Sequence, residues 1–364
     1  MTRTASATTR RRVPPAGDAL FRDTAANIGR SPAAPFGRDK PRPLGITVYG
    51  CAPDEADLFQ ALAPRFGVSA TTIAAAAPEA GIVPVPGNRC VSVAHKSPIS
   101  RPVLAALKES GVDYVSTRSI GLDHIDLRAA EELGITVENV AYAPDGVADY
   151  TVMLLLMAIR HAKGIVTAAQ NRDFRPPNVR GKELRDMTVG VLGTGRIGSA
   201  VIERLRGFGC RVLASDTRGQ GPAVAEFVSL DALLAESDVV TLHLPLDAGT
   251  RHCIGRRQLA ALKPGAFLVN TGRGALVDTA ALIAALEEER LAGAALDVLE
   301  GEDGLFYFDC TERPIDNPFL LRLQALPNVI ITPHTAYHTD RVLHDVVTAT
   351  LRNCLRFDRS RADG

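Results

Sequence analysis

The chain has 364 residues, enough for two average domains. Its 41 basic and 41 acidic side chains cancel, so no global field favours a nucleic acid or an anionic membrane surface as partner. The six cysteines show no C-x-x-C spacing, which argues against a metal site or a disulfide framework and fits a reducing cytoplasm.

Residues 1–42 are rich in Ala, Arg, Pro and Thr and hold neither a periodic apolar pattern nor the apolar core of a signal peptide. They are expected to form a disordered extension. From Pro43 a regular rhythm begins. "GITVYG", "CVSVA", "DYVSTRS" and "ITVENV" read as strands, and "DEADLFQALAPRF", "SPISRPVLAALKESG" and "DLRAAEELG" between them read as helices. Strands alternating with helices predict a parallel sheet covered on both faces. "DGVADYTVMLLLMAIRHAKGIVTAAQN" reads as one long helix. Its longest apolar run, "YTVMLLLMAI", falls short of the ~20 residues that span a bilayer, so it is expected to be buried. The rhythm then restarts with about six strands, "MTVGVLG", "RVLASD", "VVTLHLP", "AFLVNT", "GAALDVL" and "NVIIT". The closing helix, "RVLHDVVTATLRNCLRF", lies outside this set and is expected to pack back on the first domain.

"VGVLGTGRIGSAVIERLRGFGCRVLASD" holds Gly193, Gly195 and Gly198 in G-x-G-x-x-G spacing, between an apolar strand and an apolar helix. Gly193 permits a tight turn, Gly195 lets backbone approach a pyrophosphate, and Gly198 lets helix and strand pack closely. The intervening Thr194, Arg196 and Ile197 belong to the same phosphate cradle. Asp216, at the end of the next strand, can accept hydrogen bonds from a ribose 2′-hydroxyl and would repel a 2′-phosphate. That favours NAD as cofactor, while Arg218 two residues on leaves NADP open.

Three charged residues follow strands of this unit: Arg273 after "AFLVNT", Glu302 after "GAALDVL" and His334 after "NVIIT", with Asp297 inside the strand before Glu302. Taken singly, each reads as a surface turn or a satisfied polar group. Beside a dinucleotide cradle they read together, because ligands of open α/β sheets bind outside the carboxyl ends of strands. Arginine binds a carboxylate bidentately. Histidine can give a proton to a carbonyl oxygen, and a glutamate on its ring keeps it oriented and charged.

On the segments "GTGRIG", "NTGRGALVD", "ALDVLEGE" and "TPHTA", the sequence resembles the D-isomer-specific 2-hydroxyacid dehydrogenases from about Leu44 to near its C-terminus. The resemblance implies a two-domain α/β fold, a Rossmann-type nucleotide-binding domain beside a flavodoxin-like substrate domain. On this reading residues 43–144, completed by 338–364, form the substrate domain and residues 145–337 the NAD-binding domain. It implies that Arg273, Glu302 and His334 are the catalytic set. Asp297 would contact the nicotinamide carboxamide, with Pro245 and Thr271 among the cofactor contacts. The amides of Ile120 and Gly121 in "STRSIGLDHID" would hold the substrate carboxylate, and Tyr142 and Tyr337 would line the same cleft. A homodimer is also implied.

A narrower likeness, in "GITVYGCAPDEADLFQALAPRFGV", "LEGEDGLFYFDC" and "NPFLLRLQALPNVIITPHTAYHTD", is to the VanH-type D-lactate dehydrogenases of vancomycin-resistance clusters. It implies reduction of pyruvate to D-lactate for peptidoglycan precursors ending in D-Ala-D-Lac. His338 departs from that branch, which carries tyrosine there, and puts local packing in question. Two alternatives stay open: another 2-keto acid such as hydroxypyruvate, glyoxylate or a branched one, or a non-enzymatic NADH-sensing regulator.

Overall fold

The structure is a computed structural model that describes residues 43–77, 86–96, 98–219 and 221–362. The expected disordered extension, residues 1–42, lies outside the described residues. From Pro43 onward the chain forms one compact unit that holds two parallel sheets.

The first sheet is built from β1 (Leu44–Tyr49), β2 (Val68–Ile73), β3 (Cys90–Val93), β4 (Tyr114–Thr117) and β5 (Thr136–Asn139), in the order β2-β1-β3-β4-β5. This is the flavodoxin-type order, with its switch point between β1 and β3. The helices between these strands are α1 (Pro53–Leu62), α2 (Arg101–Glu109) and α3 (Leu127–Glu132). All residues of β3 and β4 are buried, as a doubly covered parallel sheet requires. The edge strand β2 buries only Val68, and its polar middle hides it from sequence reading.

The second sheet starts after two helices, α4 (Asp145–Ile159) and α5 (Ala162–Gln170). Its elements in chain order are β6 (Thr188–Leu192), α6 (Arg196–Leu205), β7 (Arg211–Ser215), β8 (Glu226–Phe227), α7 (Leu230–Glu236), β9 (Val239–Leu242), α8 (Arg256–Ala261), β10 (Ala266–Asn270), α9 (Thr279–Glu287), β11 (Leu291–Leu296), α10 (Pro318–Ala325) and β12 (Val329–Ile331). The order is β12-β11-β10-β9-β6-β7-β8. Counted from β6, that is the dinucleotide-binding arrangement with a seventh strand added, its switch point between β6 and β9. The sheet has seven strands rather than six because β8 is only two residues long.

The long helix expected over residues 145–171 is two helices bent by 72° at a break. His161 takes a left-handed φ of 53° and ends α4 without any glycine or proline to signal it. α4 inserts Leu154, Leu155 and Ile159, all fully buried, against the second sheet, whereas α5 buries none of its residues. Among the described residues no single helix is long and apolar enough to cross a membrane.

The last helix, α11 (Asp340–Ala362), returns to the first sheet. Its Val347, Leu351 and Cys354 share a core with Ile46, Val48, Phe59 and Tyr114. Leu351 is fully buried, so Leu351→Ala should cost about 2–5 kcal/mol, as large-to-small core substitutions do. Chemical denaturation checks this; an unchanged midpoint would mean that α11 is not part of that core.

Candidate active site

The phosphate cradle is built as its glycines require. Gly193 has φ +93°, and a Cβ there would lie 2.7 Å from the His243 carbonyl oxygen. A Cβ on Gly198 would lie 1.9 Å from the Gly193 oxygen, so only glycine lets α6 start this close to β6. A Cβ on Gly195 would instead point into open space, with Arg218 Nη2 its nearest neighbour at 3.9 Å. That space, at the N-terminus of α6, fits a pyrophosphate. Ile197 and Arg196 line the same cleft, and Arg196 Nη2 donates to the Tyr142 carbonyl at 2.7 Å.

Asp216 closes the far end of the cradle. Its Oδ2 accepts from the Thr194 amide (2.8 Å), and its Oδ1 from the Arg218 amide (2.8 Å) and Nε (3.0 Å). The Arg218 guanidinium, with these amides, holds the Asp216 carboxyl well below the usual carboxylate range. The Asp216 charge is therefore shared with a neighbouring cation.

The cleft between the two sheets measures about 760 Å³ and is lined by Ile120, Gly121, Tyr142, Gly195, Arg196, Ile197, Pro245, Thr271, Arg273, Asp297, His334 and Tyr337. It thus brings together most of the residues singled out in the sequence. Thr271 is buried, and its hydroxyl lies 2.8 Å from that of Thr151 on α4. Burial raises the Tyr142 hydroxyl and pushes that of Tyr337 up to about 12, so both stay neutral. His338 is exposed, so the departure from tyrosine there leaves the core undisturbed.

His334 stands just after β12 with a left-handed φ of 53°. Its Nδ1 donates to Glu302 Oε1 at 2.6 Å, which leaves Nε2 for the cleft. The other Glu302 oxygen accepts from the Leu299 amide at 2.6 Å, fixing the carboxylate plane. Asp297 is fully buried and holds the loop that carries His334. Its Oδ1 accepts from Thr332 Oγ1 (2.6 Å) and the Thr335 amide (2.9 Å), its Oδ2 accepts from the Ala336 amide (2.9 Å), and its carbonyl accepts from the His334 amide (2.7 Å).

Arg273 sits on the turn after β10. Gly274 beside it is forced, since a Cβ there would lie 2.1 Å from the Leu299 carbonyl carbon. The guanidinium reaches across the cleft: Nε donates to both oxygens of Asp123 (3.0 and 3.2 Å) and Nη1 to the Gly272 carbonyl (2.9 Å). The Ile120–Gly121 turn opposite is braced by Ser119 Oγ on the Gly121 carbonyl (2.7 Å) and Asn139 Nδ2 on the Ile120 carbonyl (2.6 Å). The Ile120 and Gly121 amides have no partner among the described residues.

Sequence reading missed a second layer. His95 Nε2 pairs with the Tyr307 hydroxyl at 2.8 Å, and that hydroxyl donates to the His334 carbonyl at 3.1 Å. Burial, together with His334, His124, Arg273 and Lys96, drives His95 well below the usual histidine range. His95 follows the buried strand β3, so the strand-end rule that found His334 would also have found it.

A dinucleotide cradle at the switch point of one sheet, facing a histidine–carboxylate pair and an arginine, defines a two-lobed dehydrogenase. Its cofactor is NAD(H), which the Gly195 space and Asp216 fit. Residues 152–336 match the model of the "D-isomer specific 2-hydroxyacid dehydrogenase, NAD binding domain". The chain belongs to that family. It is 60% identical over 316 residues to a D-specific alpha-keto acid dehydrogenase of Enterococcus faecium, covering 87% of this chain and 98% of that one. Among solved structures, a D-lactate dehydrogenase of Treponema pallidum superposes with a TM-score of 0.76 at 31% identity, covering 87% and 97%. An Aquifex aeolicus D-lactate dehydrogenase complexed with NAD and lactic acid gives 0.76 at 30%, covering 87% and 96%.

Gly198→Ala should close the cradle and sharply weaken NADH binding, followed by nicotinamide fluorescence; an unchanged Kd would contradict the close packing of α6 on β6. Asp216→Ala should raise KM for NADH and narrow the gap to NADPH, because the group that repels a 2′-phosphate is gone. An unchanged ratio of the two cofactors would place that choice elsewhere.

Proposed function

We propose that the protein reduces pyruvate to D-lactate with NADH. The observation that carries this reading is the convergence of Arg273 and the His334–Glu302 pair on the unpartnered amides of Ile120 and Gly121. A 2-keto acid presents a carboxylate beside a carbonyl. The two amides and the Nη edge of Arg273 are donors for the carboxylate, and Arg273 can also favour negative charge as it develops on the keto oxygen. His334, held by Glu302 through Nδ1, gives the proton of its Nε2 to that oxygen. NADH, when bound, supplies the hydride for the keto carbon. Tyr142 and Tyr337 wall the substrate, and Thr271, Pro245 and Asp297 border the nicotinamide. The relatives named D-lactate dehydrogenase support lactate as the product.

On this reading residues 43–144 with 338–364 act as the substrate domain, residues 145–337 as the cofactor domain, and closure of the two excludes water. The narrower likeness to the VanH-type enzymes supports a cytoplasmic role, the supply of D-lactate for D-Ala-D-Lac precursors in vancomycin resistance. The exposed apolar side chains Met153, Ile165, Val166 and Phe174, on and beside α4 and α5, support a homodimer.

The test is NADH oxidation with pyruvate, followed by absorbance. Arg273→Gln should raise KM and lower kcat by about 10²–10³, as loss of an oxyanion donor does. His334→Gln should lower kcat by roughly 10²–10⁴ while leaving NADH affinity intact. Near-normal kinetics in either variant would return that residue to a structural role.

A further inference from the structure

Past Arg273 and His334 the cleft continues into a hollow of about 420 Å³. Its lining includes Arg273 and His334 but none of the residues around Gly195 or Thr271. It offers space for the side chain of a 2-keto acid whose carboxylate would lie on the Ile120 and Gly121 amides. Asp123 stands at its mouth, 150 positions from Arg273 in sequence, and makes the one ion pair that crosses the cleft among the described residues.

That pair decides which edge of the guanidinium a substrate can use. Asp123 occupies Nε, and the Gly272 carbonyl occupies one proton of Nη1. Nη2 lies where a Cβ on Gly121 would stand, 1.7 Å from that position, so it rests on the Ile120–Gly121 turn. The Nη2 donors therefore lie beside the Ile120–Gly121 turn. Burial alone would raise the Asp123 carboxyl, but the Arg273 guanidinium overrides this and holds it below the usual carboxylate range.

The charges around the hollow are unequal. Lys96 and Arg273 face Asp123, Asp126, Glu302 and Asp303. His95 and His124 are pushed down by burial, His124 to about 4, and add no positive charge at neutral pH. Once a substrate carboxylate has taken Arg273, Lys96 is the one cation of this lining left to oppose its carboxylates.

We propose that Asp123 is both the positioning residue for Arg273 and the group that bars 2-keto acids carrying a second carboxylate. A side-chain carboxylate in the hollow would meet Asp123 at short range, with Lys96 as the one cation of the lining outside an ion pair among the described residues, which is discrimination by repulsion. The proposal rests on the reading of the site as a 2-keto acid site.

The experiment compares kcat/KM for 2-oxobutanoate and oxaloacetate, which have equal carbon counts and differ in the second carboxylate. It uses the full-length wild type, Asp123→Asn and Asp123→Ala. The wild type should favour 2-oxobutanoate. Asp123→Asn keeps an acceptor for Arg273 Nε but not the charge, and should shrink that preference by roughly tenfold or more. Asp123→Ala loses the anchor as well, and should raise KM for both acids above the Asn value. A wild type that uses both acids equally, or an Asp123→Asn variant with the wild-type ratio, overturns the proposal. A wild type that oxidises NADH with neither of these acids nor pyruvate overturns the reading of the site itself.

Discussion

The Asp297 carboxylate is the constraint on which the rest of the site depends. It is fully buried, and an unpaired buried carboxylate is costly. Two backbone amides and the Thr332 hydroxyl satisfy it, and all three belong to the segment Thr332–Ala336. Those bonds impose the sharp path that puts His334 in the left-handed region, a conformation histidine adopts only when its surroundings dictate it. The ring is then delivered to Glu302, itself tied to the Leu299 amide two residues past Asp297, in the segment that follows β11. One acid, immediately after β11 rather than inside the strand as the sequence suggested, thus sets the place of the histidine, and a second acid sets its rotation.

Sheet topology does the remaining work. Parallel strands end on one side, so Arg273 after β10, Glu302 after β11 and His334 after β12 meet although some sixty positions separate the first from the last. The first sheet presents its own strand-end loop, Ser119–Asp123 after β4, from across the cleft. The pair between Arg273 and Asp123 joins the two loops. α11 ties the end of the chain to the first sheet, so both sheets carry segments from distant parts of the sequence.

Much of this was legible in the sequence because the chemistry sits where strand patterns end. The cradle glycines, Asp216, Arg273, Glu302 and His334 each follow an apolar run, and an apolar run is the most readable element of a buried parallel sheet. The edge strand β2 was not readable, since a half-exposed strand with a polar middle has no apolar run. Nor was the break at His161, where backbone geometry alone ends α4. Two long-range contacts were equally hidden: Asp123 with Arg273, and His95 with Tyr307, 212 positions apart. Sequence spacing carries no distance between loops of different sheets. Asp297 was legible as a cleft residue, but its grip on Thr332–Ala336 depends on a turn that only the folded backbone defines.

On the proposed function, a cofactor bound on the Gly193–Gly198 cradle and a 2-keto acid held by Arg273 and the Ile120–Gly121 amides meet with one fixed face of the keto acid toward the hydride. The direct measurement is to supply pyruvate with NADH deuterated at both positions of nicotinamide C4, then to resolve the product by chiral chromatography with mass detection. D-lactate carrying one deuterium on C2 is the expected product. L-lactate, a mixture of the two hands, or unlabelled D-lactate would contradict it.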